Sequence, residues 1–399
     1  MPRTHANNKK VLVAMSGGVD SSVAAAVLQQ QGYEVVGCFM RLGSDDSVES
    51  AEHTDEACCP PSSHETEGAD EVCPSPDAHQ STATKAHHQG CCSLNDASDA
   101  RLVAAMLGIP LYVMNFKKDF GRIIDYFVDE YNVGRTPNPC IRCNTWLKFG
   151  KLAAYARSID ADYVATGHYA RVDHANGRSR LLRAADAHKD QSYVLFGTHP
   201  DRLAHMLLPI GDLEKPHVRQ LAEQLGLPVF DKPDSQEICF VPDNDYFRLV
   251  KKRTPDAVEP GSIVDQNGHV LGEHKGHQRY TIGQRKGLSV SLGYPIYVVD
   301  KDAATNKVVV GGKDQVAARG LIAGDANWLI DPPAGDALRC DVKIRSNSPP
   351  AAAHVRATGC DTLEVDFEEP QRAISPGQAA VCYAGEQVIG GGWIDRALS

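Results

Sequence analysis

The sequence predicts an α/β protein: a doubly wound parallel sheet, followed by a small α+β module and a C-terminal antiparallel β-barrel. Three observations carry this reading. Short apolar runs alternate with helical segments over residues 11–170. The stretch 11–32 reads as strand, glycine loop and helix. From about residue 260 the pattern changes to short strands separated by turn signals. At 399 residues the chain is long enough for two or three domains with ample core. The expected divisions are 1–211 for the sheet, 212–282 for the central module and 283–399 for the barrel.

Residues 11–14 form an apolar run suited to a buried parallel strand. The run enters the small-residue loop Ser16-Gly17-Gly18-Val19-Asp20-Ser21-Ser22. Val23, Ala26, Val27 and Gln30 then recur at helical spacing up to Gly32, a left-handed cap. This order puts bare backbone N–H groups at a positive helix N-terminus, which suits a phosphate. Ser16, Ser21 and Ser22 add hydroxyl donors. Asp20 repels phosphates unless Mg²⁺ lies between them, so it argues for a metal-bound nucleotide. The loop lacks both the lysine of a Walker loop and the spacing of a dinucleotide fingerprint.

A second strand is predicted over 33–42, and a polar, acidic insertion without stable structure over 43–90. The insertion holds eleven acids against Lys85, so it accounts for the whole net charge of −10 and leaves room for a basic face elsewhere. Its Cys58, Cys59, Cys73 and five histidines have no zinc spacing. A helix with Ala100, Val103, Ala104 and Leu107 on one face follows, then a strand over 111–116. Phe120, Ile123, Ile124, Phe127, Val128 and Tyr131 mark an amphipathic helix. The prolines of 134–144 interrupt regular structure before a helix carrying Trp146, Leu147, Phe149 and Leu152. A strand over 162–166 ends at Gly167-His168-Tyr169. Ligands of such sheets bind at the carboxyl ends of the strands, where the Ser16 loop, Met40 and Gly167-His168 should lie. Residues 217–226 are helical, and Asn267-Gly268 marks a hairpin turn. Residues 297–311 and 378–391 read as further hairpins of a mostly antiparallel barrel or sandwich.

No apolar run reaches 18 residues, so no membrane span is expected, and the start lacks a signal-peptide apolar region. Twelve cysteines in this setting imply a reducing, cytoplasmic environment. Cys140 and Cys143 form a C-x-x-C in the proline-rich loop, while Cys91 and Cys92 are adjacent and Cys239 is isolated. Spacing leaves four readings open: half a zinc site, a redox dithiol, an iron–sulfur cluster on Cys140, Cys143 and Cys239, or a sulfur carrier and its partner. Residues 274–288 hold Lys275, Arg279, Arg285 and Lys286 and no acid, a candidate RNA footprint.

The SGGVDSS loop resembles that of the N-type ATP pyrophosphatases, Rossmann-like enzymes that cleave ATP between its α and β phosphates. The wider series is GRTPNPCIRCN at 134–144, ATGHY at 165–169, KDQSY at 189–193, SQEICF at 235–240, GQRKGL at 283–288 and SPGQAAV at 375–381. In that order, along nearly the whole chain, it resembles the tRNA-specific 2-thiouridylases. The resemblance implies replacement of the 2-oxygen of the wobble uridine by sulfur, using ATP and Mg²⁺. It implies Cys143 as nucleophile and Cys239 as persulfide carrier. It places ATP on Ala14, Met15, Ser16, Gly17, Gly18, Val19, Asp20 and Ser21, with Met40 and Gly167. Asn138, Pro139 and Cys140 match the segment that meets the target base. His168, Lys189, Asp190, Gln191 and Gln378 match tRNA contacts. The implied partners are tRNA and a cysteine desulfurase or sulfur-relay protein. Position 140 departs from the family pattern, which places an acid there, so no general-base role transfers. Residues 343–346 lack an aromatic residue that often follows the arginine. Three rivals compete with this reading, the first an iron–sulfur cluster-dependent tRNA thiolase that uses the same cysteines. Another adenylating synthetase has no use for the cysteines, and an RNA-binding iron–sulfur protein has no need of ATP.

Overall fold

The computed structural model describes residues 9–43, 94–175, 177–234, 238–333, 336–359 and 361–398. Almost all of the acidic stretch predicted at 43–90, together with Cys91, Cys92 and positions 235–237, lies outside the described residues.

Strands β1 (Lys10–Ala14), β2 (Glu34–Arg41), β3 (Leu111–Asn115) and β4 (Tyr163–Ala165) build a parallel sheet with the short strand Met206–Leu207. The order is β3-β2-β1-β4, with Met206–Leu207 outside β4. The chain therefore winds outward from β1 through β2 to β3 and returns to the other side of β1. The switch point falls between the carboxyl ends of β1 and β4, the place where open α/β sheets hold ligands.

Both faces of the sheet are covered, as its apolar strands require. Along β1, Leu12 and Ala14 enter one core, while Val11 and Val13 enter the other. The first core is closed by helix α3 (Lys117–Asn132) through Phe120, Ile123, Ile124, Phe127, Val128 and Tyr131, the predicted stripe. The second is closed by α1 (Val19–Gln30), α2 (Leu94–Leu107) and the helix Lys215–Gln224. Gly32 and Gly108, predicted helix ends, adopt left-handed backbone at φ 87° and 64°.

The C-terminal barrel is a closed ring of strands: Ala317–Trp328, Leu363–Arg372, Ala351–Ala357, Leu338–Lys343, Ala379–Ala384 and Gln387–Leu398. Its first and last strands pair to complete the closure, which leaves no open sheet edge. A four-stranded sheet spans Gly261–Val264, Val270–His274, Tyr297–Asp302 and Lys307–Gly311, so the division expected at 282/283 falls inside it. Lys307–Val309 runs parallel to Ser262–Val264, the one parallel pairing in an otherwise antiparallel sheet among the described residues. The turn at 265–269 also differs from a two-residue hairpin turn. Only Gly268 has positive φ, and Asp265 fixes the turn by accepting the N–H groups of Asn267 and His269. The hairpin Arg171–Ala175 and Arg178–Leu182 joins the barrel through Leu182 and Gln387, a connection with no forewarning in the motifs. Among the described residues no helix is long and apolar enough to cross a membrane.

Candidate active site

The glycine loop sits at the switch point. The Met15 N–H donates to the Cys38 carbonyl of β2 at 2.8 Å, so the loop leaves β1 under control of the sheet. Gly17 takes φ 75°, and a Cβ there would lie 2.2 Å from the Asp96 carbonyl oxygen of α2. Gly18 caps α1 without a side-chain oxygen, so its capping position consumes none of the first-turn N–H groups. Ser16 N–H donates to Ser21 Oγ at 3.1 Å, and Ser21 and Ser22 hydroxyls donate to the Gly18 carbonyl at 3.1 and 2.8 Å. Those two hydroxyls hold the loop's shape, where the sequence reading assigned them to the anion. Gly167 closes the cradle from the end of β4. A Cβ on it would come within 2.6 Å of the Asp20 carbonyl carbon and the Ser21 nitrogen, so only glycine lets β4 approach this closely.

Asp20 is the loop's carboxylate, and its partners arrive from far along the chain. The Tyr169 hydroxyl donates to Oδ1 at 2.7 Å, and the buried Lys215 ammonium donates to both oxygens at 2.8 and 2.9 Å. Lys215 also reaches Asp234 at 2.8 Å, as do Lys189 and Arg219. Burial alone would push the Asp234 carboxyl up. Hydrogen bonds from Lys189 and Lys215 reverse that and hold it at about 2. Burial and then the Asp20 charge push the Tyr169 phenol far up, so it remains a donor. Lys232 donates to the Gly17 carbonyl at 2.9 Å and pairs with Asp96 and Asp99. The segment 232–234 thus ties the glycine loop to the chain that leads on to Cys239. Lys215, Lys232 and Asp234 escaped sequence reasoning because ion pairs between distant segments leave no local pattern.

The cysteines belong to the other side of the sheet. Asn138 caps the four-residue helix α4 (Pro139–Arg142), its Oδ1 accepting the Ile141 N–H at 3.3 Å. Pro139 is buried and Cys140 exposed. Cys143 opens a π-helical stretch, Cys143–Lys151, anchored by the buried Asn144, whose amide donates to the Val194 carbonyl. Cys143 and Cys239 are both half-buried against the core that α3 organises. Phe240 fixes the Cys239 turn there, meeting Phe120 and Phe127 edge-on with ring centroids 5.6 and 5.2 Å apart. Helix α3 also touches α4 and the π-helical stretch, so one rigid element supports both cysteines. Among the described residues no group of three His, Cys, Asp or Glu side chains converges to hold a metal ion.

The residues matched to tRNA contacts face largely inward. His168 is buried; burial, and then the Lys148 charge, lower its pKa well below the ordinary value, so the ring is neutral. Lys148 faces Nε2 at 3.4 Å, which leaves Nδ1–H to donate to Thr166 Oγ1 at 2.7 Å. Lys189 is engaged by Asp234, and Asp190 accepts the N–H groups of Ala184 and Ser192. Gln191 accepts the Tyr169 N–H. Gln378 donates to the Thr136 and Pro137 carbonyls at 3.0 and 3.1 Å, so the barrel grips the segment before Asn138. The cations Lys275, Arg279, Arg285 and Lys286 are exposed, whereas His274 and His277 are buried and structural. Arg279 lies over the Phe247 ring at 4.9 Å, which brings the exposed Lys251, Lys252 and Arg253 of helix Tyr246–Arg253 alongside the patch.

Comparison with known proteins agrees with this layout. Residues 9–77 and 75–243 match the family model described as the tRNA methyl transferase HUP domain. Residues 248–312 match the tRNA methyl transferase PRC-barrel domain, and 318–394 the aminomethyltransferase β-barrel domain. The tRNA-specific 2-thiouridylase MnmA of Rhodopirellula baltica is 47% identical over 98% of this chain and 97% of its own. The Symbiobacterium thermophilum protein of the same name is 47% identical over 98% of this chain and 93% of its own. That of Clostridioides difficile is 45% identical over 98% and 99%. With three domain matches in order and this identity along nearly its whole length, the chain belongs to the family of the tRNA-specific 2-thiouridylases.

Proposed function

We propose that the protein is an ATP-dependent tRNA-uridine 2-sulfurtransferase. The observation that carries this is the placement of Cys143 and Cys239 on one α3-supported core of a sheet whose switch point bears a glycine loop built for phosphate. ATP activates a poor leaving group. The uridine 2-carbonyl oxygen attacks the α-phosphorus, pyrophosphate leaves, and the oxygen can then depart as AMP. The terminal sulfur of a Cys239 persulfide attacks C2 and expels AMP. The Cys143 thiolate then attacks Cys239 Sγ, breaking the sulfur–sulfur bond and leaving sulfur on the base. The product Cys143–Cys239 disulfide is opened by an external thiol reductant.

The donors at the site fit a nucleotide: first-turn N–H groups of α1, the Ser16 hydroxyl and close backbone around Gly17, Gly18 and Gly167. Asp20 is the carboxylate that would hold Mg²⁺, on exchange of Lys215, and the ion supplies neutralisation of phosphate charge. Asn138, Pro139 and Cys140 border the target base, which must leave the anticodon stack to arrive there. His168 and the segment 189–191 serve tRNA indirectly, as the wall behind the loop, and the exposed cations meet the backbone. A cysteine desulfurase or relay protein supplies sulfur, in the cytoplasm. The catalytic unit runs through 211, the central module from 212 through the four-stranded sheet that ends at Gly311, and the barrel from Ala317.

The test is incubation of the purified protein with a tRNA transcript, ATP and a persulfide donor, followed by nucleoside mass spectrometry. ATP-dependent 2-thiouridine is expected. Formation that needs no ATP, or that tracks bound iron and sulfide, would replace this chemistry with the cluster reading.

A further inference from the structure

We infer that Arg142 is a positioning residue for Cys143, held by a clamp that the C-terminal barrel provides. This rests on the reading of Cys143 as the thiol of sulfur transfer.

Arg142 ends α4, directly before Cys143, and its side chain turns away from the nucleotide loop's ionic network into an aromatic box. The guanidinium lies 4.0 Å from the Trp393 ring centroid, and 5.2 Å from those of Tyr126 and Trp146. Its Nη2 donates to Asp325 Oδ2 at 3.4 Å. Its Nε is buried with no hydrogen-bond partner among the described residues. A guanidinium set among three rings with its Nε buried there is suited by its planar, weakly hydrated head, which the tetrahedral ammonium of lysine does not share.

The barrel side of the clamp is equally specific. Asp325 has φ 46°, a left-handed conformation uncommon for a side-chain-bearing residue. It sits where the register of Ala317–Trp328 against Gln387–Leu398 slips between Gly324 and Asn327. Trp393 belongs to the second of these strands. The pair that closes the barrel therefore supplies both the anion and the principal ring. Two further contacts pin the same segment. Arg135 donates to the Ile394 carbonyl at 3.3 Å, and Gln378 donates to the Thr136 and Pro137 carbonyls. Fixing 135–142 at three points leaves Cys143 little freedom of position, as in-line attack on a sulfur–sulfur bond demands.

Single-turnover assays on protein carrying persulfide at Cys239, with ATP and tRNA transcript, test this. The readout is the rate of Cys143–Cys239 disulfide formation by non-reducing mass spectrometry. Trp393→Leu and Arg142→Gln should slow it by roughly ten- to a hundredfold, the penalty of a misplaced reacting group. ATP affinity and persulfide loading of Cys239 should be unchanged, and Trp393→Phe, which keeps a ring face, should restore most of the rate. Unchanged disulfide formation in both variants would overturn the inference. So would a fall in ATP affinity, loading and rate together with melting temperature, which marks a merely structural role. Arg142→Gln keeps the test available if Trp393→Leu does not fold. Full sulfur transfer by Cys143→Ser would instead sink the underlying reading of the thiol.

Discussion

Gly167→Ala is a small perturbation with a large expected effect, because the added methyl points at the backbone of the glycine loop. The Cβ would lie 2.6 Å from the Asp20 carbonyl carbon and the Ser21 nitrogen, and neither atom can rotate away. Restoring ordinary contact at 3.4 Å needs a separation of ~0.8 Å between β4 and the first turn of α1. Overpacking of this kind costs about 1–3 kcal/mol of stability. The functional cost is larger, since a ~1 Å error in placing a reacting group lowers rate on the order of a hundredfold. Isothermal titration with ATP and the rate of tRNA-dependent pyrophosphate release measure the effect. Both should be impaired, while Cys239, on the other side of the sheet, still accepts persulfide. Wild-type ATP affinity and pyrophosphate release in Gly167→Ala would refute the assignment of the Ser16–Ser22 loop and Gly167 to the nucleotide.

Two further perturbations probe the charges around the site. Asp234 has a carboxyl held at about 2, below the unfolded value of 3.8, so its ionised form stabilises the fold. That contribution, about 2 kcal/mol, is complete above roughly pH 4 and disappears as pH falls through about 2. Asp234→Asn should lose it at pH 7 in urea unfolding, with the gap to wild type closing in acid. Replacing Lys275, Arg279, Arg285 and Lys286 by Ala should weaken tRNA binding and flatten its salt dependence, by roughly 0.7–0.9 of log–log slope for each phosphate that is no longer neutralised. Filter binding across a salt series measures this, and an unchanged slope would move the RNA footprint elsewhere.

What could be read in the chain was local. A strand, two glycines and a helix are consecutive in sequence, so the glycine loop at the sheet's switch point announces itself at Val11–Gly32. The stripe of Phe120, Ile123, Phe127 and Tyr131 likewise marks α3 because one helix carries it all. The partners of Asp20 were hidden, since Lys215 and Asp234 reach the site only through the return of the chain around the sheet. The inward turn of Lys189 and Asp190 was hidden for the same reason. A motif identifies residues, whereas the direction of a side chain depends on which distant segment packs against it. The basic helix Tyr246–Arg253 had a legible signal in its three consecutive cations, but its place beside Arg279 needed the fold. Spacing left the use of Cys140, Cys143 and Cys239 open because the isolated Cys239, far along the chain, has no positional relation to the C-x-x-C pair. Their common support on α3 brings Cys143 and Cys239 to one core.

In the proposed reaction Cys239 carries the sulfur and Cys143 releases it to tRNA. Radiolabelled sulfur followed from donor to tRNA in wild type, Cys239→Ser and Cys143→Ser measures this directly. Wild type should label tRNA. Cys239→Ser should take up no persulfide at that position, and Cys143→Ser should take up label on Cys239 yet deliver none as 2-thiouridine. Full transfer to tRNA by both variants would rule out sulfur relay through these two cysteines.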